Sequence, residues 1–352
     1  MAMNTDMMIT GGGKAQIWGD EDERPHTPGP EDIWQESVVL VWWDLKQKIG
    51  GFYRIGHEPN RPEGPQTVVW SVTYSPEGIF RKCSYLPTSD FDRMKDGQGA
   101  ADAGLKFRFT DHAIWTLEHD GIAADLHIHD YHPGIDGYPK HGDFADIAPK
   151  HMEVSGAITG SLTVKGKRYE VDGFAVRDHG WGIRAWDTCV SHRWFVGTIG
   201  PELSWVGLAL HSNMDARGRP DELISFGWVV RGNEITYAKN VDIVAQLEID
   251  ALTIRGGTLT MELTTGEILK IEAEAQGPGA VMFHHGITCV ETMCKMTVNG
   301  REGAGDFEIT NNASRGDRKP KVLKYGFMGD GWQEEAKTAQ VKDHAAALIT
   351  AS

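Results

Sequence analysis

The sequence predicts an all-β protein: two consecutive antiparallel barrels followed by a C-terminal helix. Three observations lead there. Short runs of strand character recur at about 8–12-residue spacing, turn signals rich in glycine separate them, and scarcely a window carries helical periodicity. Some sixteen to eighteen such runs are enough strands for two up-and-down barrels.

Taken in order, residues 1–30 are rich in Gly, Pro and acidic side chains and lack hydrophobic periodicity. They are expected to be a loose arm, laid over the body near Trp18 and without chemistry. Strands are predicted at 37–43, 67–74, 79–85, 105–109, 113–118, 122–131, 152–164 and 168–179. Hairpin turns join them at Ser75-Pro76-Glu77-Gly78, His119-Asp120-Gly121 and Lys165-Gly166-Lys167. After a Gly-Trp-Gly corner a second series runs through about 193–199, 203–212, 223–231, 234–237, 247–254, 258–264, 267–275, 281–283, 287–298 and 306–310. The predicted domains are therefore 1–30 (arm), 31–175 and 176–330 (barrels) and 331–352 (helix). That helix, Gln333 to Thr350, is rich in Ala, Lys, Glu and Gln and is expected to pack on a barrel or on a partner subunit in a homodimer.

Composition narrows the partners. The chain has 352 residues, 40% hydrophobic and 24% charged, with twelve tryptophans and a formal charge of −15. Such a charge, with no local Lys/Arg cluster, repels phosphate backbones and anionic lipid, so neither nucleic acid nor membrane is an expected partner. The four cysteines, Cys83, Cys189, Cys289 and Cys294, show no CxxC spacing and read as reduced thiols. No apolar signal region or run of eighteen apolar residues occurs, and a soluble, cytoplasmic protein is expected.

The densest chemistry lies between Gly173 and Asp187, where Arg177, Asp178, His179, Gly180, Trp181, Gly182, Arg184 and Trp186 stand together. One reading is a buried Arg/Asp pair pinning a corner between strands. The other is catalytic. An Asp in a dry pocket has its pKa raised and can hold a proton near neutral pH, whereas a nearby Arg keeps it ionised. Strict alternation puts Arg177 and His179 on one face and Asp178 on the other; a bend at Gly180 would bring them together. Trp181, Trp186, Trp194 and Trp205, with Trp42, Trp43 and Trp70 earlier, are either core filler or walls that stabilise a cation.

On the strand 122–131, Ile122, Ala124, Leu126 and Ile128 alternate with Asp125, His127, His129 and Tyr131. His127 and His129, about 6–7 Å apart, could share a metal or a substrate, or belong to a solvated face. Cys189 lies near Asp187 and His192, yet spacing alone does not hold a base against the thiol. GxSxG, P-loop, GxGxxG and HExxH patterns are missing.

Gly50-Gly51-Phe52-Tyr53-Arg54-Ile55-Gly56-His57-Glu58-Pro59-Asn60 and Arg177-Asp178-His179-Gly180-Trp181-Gly182-Ile183-Arg184 give the chain its family likeness. It resembles the carotenoid 1,2-hydratase (hydroxyneurosporene synthase)/AttH-like superfamily, over most of Trp34 to Asn311. The resemblance implies two lipocalin-like (calycin) barrels. Gly180 stands where many relatives place Ser. Members include hydratases of isoprenoid double bonds and pericyclic cyclases.

The combined expectation is a cofactor-independent, metal-free lyase or hydratase/isomerase acting on a small, largely apolar terpenoid or aromatic substrate in an aromatic-lined cavity between the barrels. Asp178, His179 and Arg184 are the expected catalytic residues. Arg177, Trp181, Trp186, Trp194, Trp42, Trp43, Tyr53, His127 and His129 are the expected substrate-binding residues. A non-catalytic carrier of a hydrophobic molecule and a metal enzyme using His127 and His129 remain the alternatives.

Overall fold

Two indoles meet two glycines at the centre of the first β unit. In the computed structural model, which describes residues 6–87, 91–140, 144–186, 189–212, 222–312 and 324–337, Trp42 and Trp43 on the strand Trp34–Asp44 lie opposite Gly51 and Gly50 on the strand Ile49–Glu58. A Cβ on Gly50 would stand 2.0 Å from the Trp43 ring, and one on Gly51 2.7 Å from Trp42 Nε1. Glycine is what lets the rings lie there. The sequence pattern passes over Ile49–Glu58 because two glycines weaken its strand character.

The described residues are 69% strand and 3% helix, which establishes the all-β class. It divides into two compact units, the first built mainly from Lys14–Arg184 and the second from Ala185 onward. The boundary falls nine residues beyond the expected one, because Lys167–Ile183 is one continuous strand pairing with Lys150–Val164 on one side and Trp34–Asp44 on the other.

The first unit is a half-barrel. Its hydrogen-bonded order is Gly78–Pro87, Gln66–Ser75, Ile49–Glu58, Trp34–Asp44, Lys167–Ile183, Lys150–Val164, Ile122–Asp130, Ala113–His119, Leu105–Phe109, Gly97–Ala100 and Phe91–Met94. Val38, Leu40, Tyr53, Phe107, Trp115 and Leu126 belong to its buried hydrophobic core. Ile122, Ala124, Leu126 and Ile128 are buried while Asp125 and His129 are exposed and His127 is half-buried, as the period-two pattern predicts.

The second unit closes. Its order runs Glu222–Arg231, Ser204–Ser212, Cys189–Thr198, Arg301–Asn312, Ile287–Val298, Ile268–Ala275, Ile254–Leu263 and Glu234–Glu248, and the last pairs back with the first to complete eight strands. Trp205, Phe195, Phe307 and Met261 pack its interior.

Both ends of the chain differ from expectation. The arm is not loose: Gln16–Trp18 pairs with Gly134–Asp136, Asp20–Glu23 form a 3-10 turn, and Glu23 is buried. At the other end, Gly331–Ala336 is a strand paired with Glu234–Glu248 where the helix was expected to begin, and 338–352 lie outside the described residues. Pairing on both sides, with Glu234–Glu248 and with Lys324–Phe327, outweighs the helical preference of Gln, Glu and Ala. Among the described residues no helix is long and apolar enough to cross a membrane.

Candidate functional site

The strand Lys167–Ile183 carries two charged clusters, one on each face. Asp178 stands opposite Glu153 and Val39, and Gly180 opposite His151 and Ser37. On the other face, Arg177 stands opposite Leu40, His179 opposite Val38, and Trp181 opposite Glu36. The strand continues through Gly180; it is Gly182 that takes a positive φ, of 111°. The bend that would join Asp178 to His179 is therefore absent, and the two side chains point apart.

The Asp178 cluster is built from His151, Glu153, Tyr138, Arg184 and Arg54. His151 Nε2 lies 3.2 Å from Glu153 Oε1 and 3.8 Å from Asp178 Oδ2. The Tyr138 hydroxyl donates to the same Glu153 oxygen. Arg184 Nη2 contacts His151 Nδ1 at 3.3 Å, while Nη1 donates to the Ile147 carbonyl at 2.8 Å. A guanidinium can only donate, so Nδ1 is the acceptor and the ring proton sits on Nε2, aimed at the two carboxylates. Gly180 makes room for this contact: a Cβ there would stand 2.1 Å from Arg184 Nη2 and 2.8 Å from His151 Nδ1.

Burial pushes the Asp178 carboxyl up to about 6; Glu153 adds to the rise, and His151, Arg184 and Arg54 oppose it without cancelling it. Burial also takes His151 down to about 4, so its ring is neutral near pH 7. Arg184 is lowered to about 10 by burial and by the charge of Arg54, against the attraction of Asp178. Asp178 is 9% exposed, and its Oδ1 has no hydrogen-bond partner among the described residues. A buried carboxyl that titrates near 6 and has one unengaged oxygen can give or take a proton.

The opposite face holds a closed ion network. Arg177 pairs with Glu23 at 2.7 Å and reaches Asp130 Oδ1 through Nε at 3.0 Å. His179 Nε2 is 3.1 Å from Glu36 Oε1, and Nδ1 is 3.9 Å from Glu23 Oε2. His26 Nδ1 meets the same Glu36 oxygen at 2.8 Å, and its ring stacks on Trp181 at 3.8 Å. Trp18 packs edge-on against Trp181 at 4.9 Å. Burial disfavours the charged form of His179, yet Glu23 and Glu36 raise it to about 9. Burial likewise works against Glu36, but His179 and His26 take it down to about 2. His179 is thus a fixed imidazolium between carboxylates. It ties the arm to the strand and is not placed to recharge Asp178.

The other expected residues are dispersed. Trp42 and Tyr53 belong to the core of the first unit, the Tyr53 hydroxyl lying 3.0 Å from Thr73 Oγ1. Trp43 packs edge-on to Tyr74 at 6.2 Å. Trp186 and Trp194 belong to the second unit; Trp194 is buried and Trp186 lies beside His192 at 6.4 Å. His127 Nδ1 is 2.8 Å from His112 Nε2, and His129 stacks on His112 at 5.1 Å. Neither His127 nor His129 belongs to a three-ligand group among the described residues. His26, Glu36 and His179 do form such a group, but Glu36 is already bonded to both rings.

Sequence reasoning singled out none of Glu23, His26, Glu36, Tyr138, His151 and Glu153. His151 and Glu153 carry a usable signal, two ionisable residues two apart on a strand and so on one face. Their register against Asp178 is not written locally.

Residues 19–313 match the model of a family described as a domain of unknown function, DUF7064. The chain belongs to this family. The DUF7064 match covers most of both β units and every residue of the Asp178 cluster. Three solved structures resemble it in fold. An AttH-like protein (NE1406) of Nitrosomonas europaea is 12% identical with a TM-score of 0.61, over 83% of this chain and 96% of that one. Kievitone hydratase of Nectria haematococca is 11% identical with a TM-score of 0.56, over 89% and 97%. CghA, solved with Sch210972, is 10% identical with a TM-score of 0.52, over 88% and 97%. This DUF7064 protein therefore has the AttH-like fold. No curated protein matches its sequence.

Proposed function

We propose that the protein is a cofactor-independent hydratase-type lyase in which Asp178 moves a proton to and from a carbon–carbon double bond of a small, largely apolar terpenoid or aromatic substrate. The observation that carries this reading is the buried Asp178 carboxyl, raised to about 6, with Oδ1 unengaged among the described residues. In hydration, protonated Asp178 gives its proton to one alkene carbon and the π electrons form the new C–H bond. Water attacks the cationic neighbour, and its surplus proton returns to the Asp178 carboxylate, so alkene plus water becomes alcohol. Dehydration is the same sequence reversed. Arg184 fixes His151 by its bond to Nδ1, and Nε2–H then faces the carboxylate that each turnover leaves behind. The hydratase named among the solved structures supports the reaction class by fold likeness alone.

The reading is tested by incubating the protein with terpenoid and aromatic alkenes in ¹⁸O-labelled water and following products by mass spectrometry. Incorporation of one labelled oxygen by the wild-type protein, lost in Asp178→Asn, is the expected result. Recovery of every ligand unchanged would leave the carrier reading in its place.

A further inference from the structure

A second constellation lies wholly within the closed barrel. Cys189 and His192 are three residues apart, a spacing that points side chains to opposite faces of a regular strand. Here the pairing passes from Cys189 opposite Ser212 to Ser191 opposite His211, so Val190 has no partner and the strand bulges. The bulge turns Cys189 onto the His192 face, with Sγ 3.8 Å from Nδ1. The other ring nitrogen, Nε2, is 2.8 Å from Glu308 Oε1 on the neighbouring strand. The Thr310 hydroxyl donates to that same oxygen. The Asn312 amide holds the strand's start by donating to the Cys189 carbonyl at 2.8 Å and the Trp186 carbonyl at 3.2 Å. A thiol, an imidazole reached through one nitrogen and a carboxylate on the other is the nucleophile–base–orienter order of covalent catalysis.

We propose that Cys189, His192 and Glu308 form a second reactive centre whose thiol captures small electrophiles of the α,β-unsaturated carbonyl class. The thiol proton moves to His192 Nδ1, sulfur forms a bond to the β-carbon and the π electrons move onto the carbonyl as an enolate. The His192 proton then closes the α-carbon, leaving a thioether and a neutral ring. Such an addition needs no leaving group, oxidant or metal. Cys189 is buried, with the His192 and Glu308 side chains 11% and 12% exposed, so the electrophile must be small.

The electrostatics agree. Burial opposes charge on His192, but Glu308 and the bond to Cys189 raise it to about 10, and His192 in turn holds Glu308 below its ordinary value against burial. The other titratable groups near the pair are Cys289 and Asp306, both raised by burial, and Glu291, which stands opposite Glu308. His284 lies beyond Trp186 at 6.2 Å.

The test uses the native protein with acrylamide at pH 6.5, followed by site-resolved mass spectrometry. A denatured control shows all four cysteines to be free to react. Cys189 should be alkylated at least about tenfold faster than the buried Cys289 and Cys294, with the exposed Cys83 as the reference thiol. His192→Gln and Glu308→Asp, checked for folding by circular dichroism, should slow Cys189 by about tenfold and leave Cys83 unchanged. A Cys189 rate no higher than those of Cys289 and Cys294 overturns the proposal, and so does a rate unaffected by His192→Gln. Neither result bears on Asp178.

Discussion

Arg184 Nη2 lies 3.3 Å from His151 Nδ1, and this contact sets which nitrogen of the imidazole carries its proton. Because the guanidinium has no lone pair to offer, Nε2–H is turned toward Glu153 and Asp178. In the proposed mechanism Asp178 works with His151, its neighbour across paired strands, and not with the adjacent His179, whose side chain lies on the other face.

Removing that contact should lower turnover without weakening binding. Arg184→Gln loses a charged donor to a buried ring, about 1.5–3 kcal/mol, which corresponds to a fall in kcat of about 10–100-fold with KM little changed. Gly180→Ala should give a similar loss, because its Cβ would stand 2.1 Å from Arg184 Nη2. Steady-state kinetics on the substrate found by oxygen labelling check both. A rise in KM alone would mean that Arg184 holds substrate rather than His151.

The His179 network makes stability depend on pH in the alkaline range. Its folded value, about 9, lies above the ordinary histidine value of 6.5, so the contribution is complete below about 6.5 and disappears as pH rises through 9. Thermal melts of the wild-type protein should therefore drop between pH 6.5 and 9.5. In His179→Gln the melting temperature should be lower at pH 6.5 and nearly flat across that window, since breaking a buried pair costs about 3–5 kcal/mol. A parallel pH dependence in the two proteins would contradict the assignment.

Asp178 should work against stability for the sake of its chemistry. Its folded value of about 6 exceeds the ordinary aspartate value of 3.8, so the wild-type protein gains stability as pH falls from 6 toward 4 and lacks that gain at pH 7.5. Asp178→Asn is expected to be more stable at pH 7.5, by up to roughly 3 kcal/mol, with the difference shrinking toward pH 4. Chemical denaturation at the two pH values measures it. A variant less stable than wild type at pH 7.5 would show that Asp178 is held as a structural anion.

His127 and His129 sit on a half-exposed face against His112. The double variant His127→Ala/His129→Ala should leave turnover within about twofold and shift stability by no more than about 1 kcal/mol. A loss of activity restored by added divalent metal would revive the metal reading.

Much of the fold was legible because period-two alternation and glycine turns are local signals, as Ile122–Asp130 and its burial pattern demonstrate. Ile49–Glu58 was not, since Gly50 and Gly51 are explained only by indoles arriving from a neighbouring strand. The first unit's open order and the second unit's closure depend on pairings far apart in sequence. At the site, the alternation that separates Asp178 from Arg177 and His179 could be read, but the bend at Gly180 expected to reunite them is absent. The identity of its partner could not: His151 meets Asp178 through the register of Lys150–Val164, and Glu23 and Glu36 meet His179 through an arm without periodicity. The Cys189–His192 contact depends on a one-residue bulge that spacing conceals.

The most direct measurement is the pH dependence of kcat/KM for hydration by the wild-type protein and by Asp178→Asn. The wild-type value should fall about tenfold per pH unit above about 6, as the protonated carboxyl is lost, and Asp178→Asn should be slower by about 10²–10⁴ with that limb gone. Full turnover by a folded Asp178→Asn, or a wild-type profile flat through pH 6, would contradict the account.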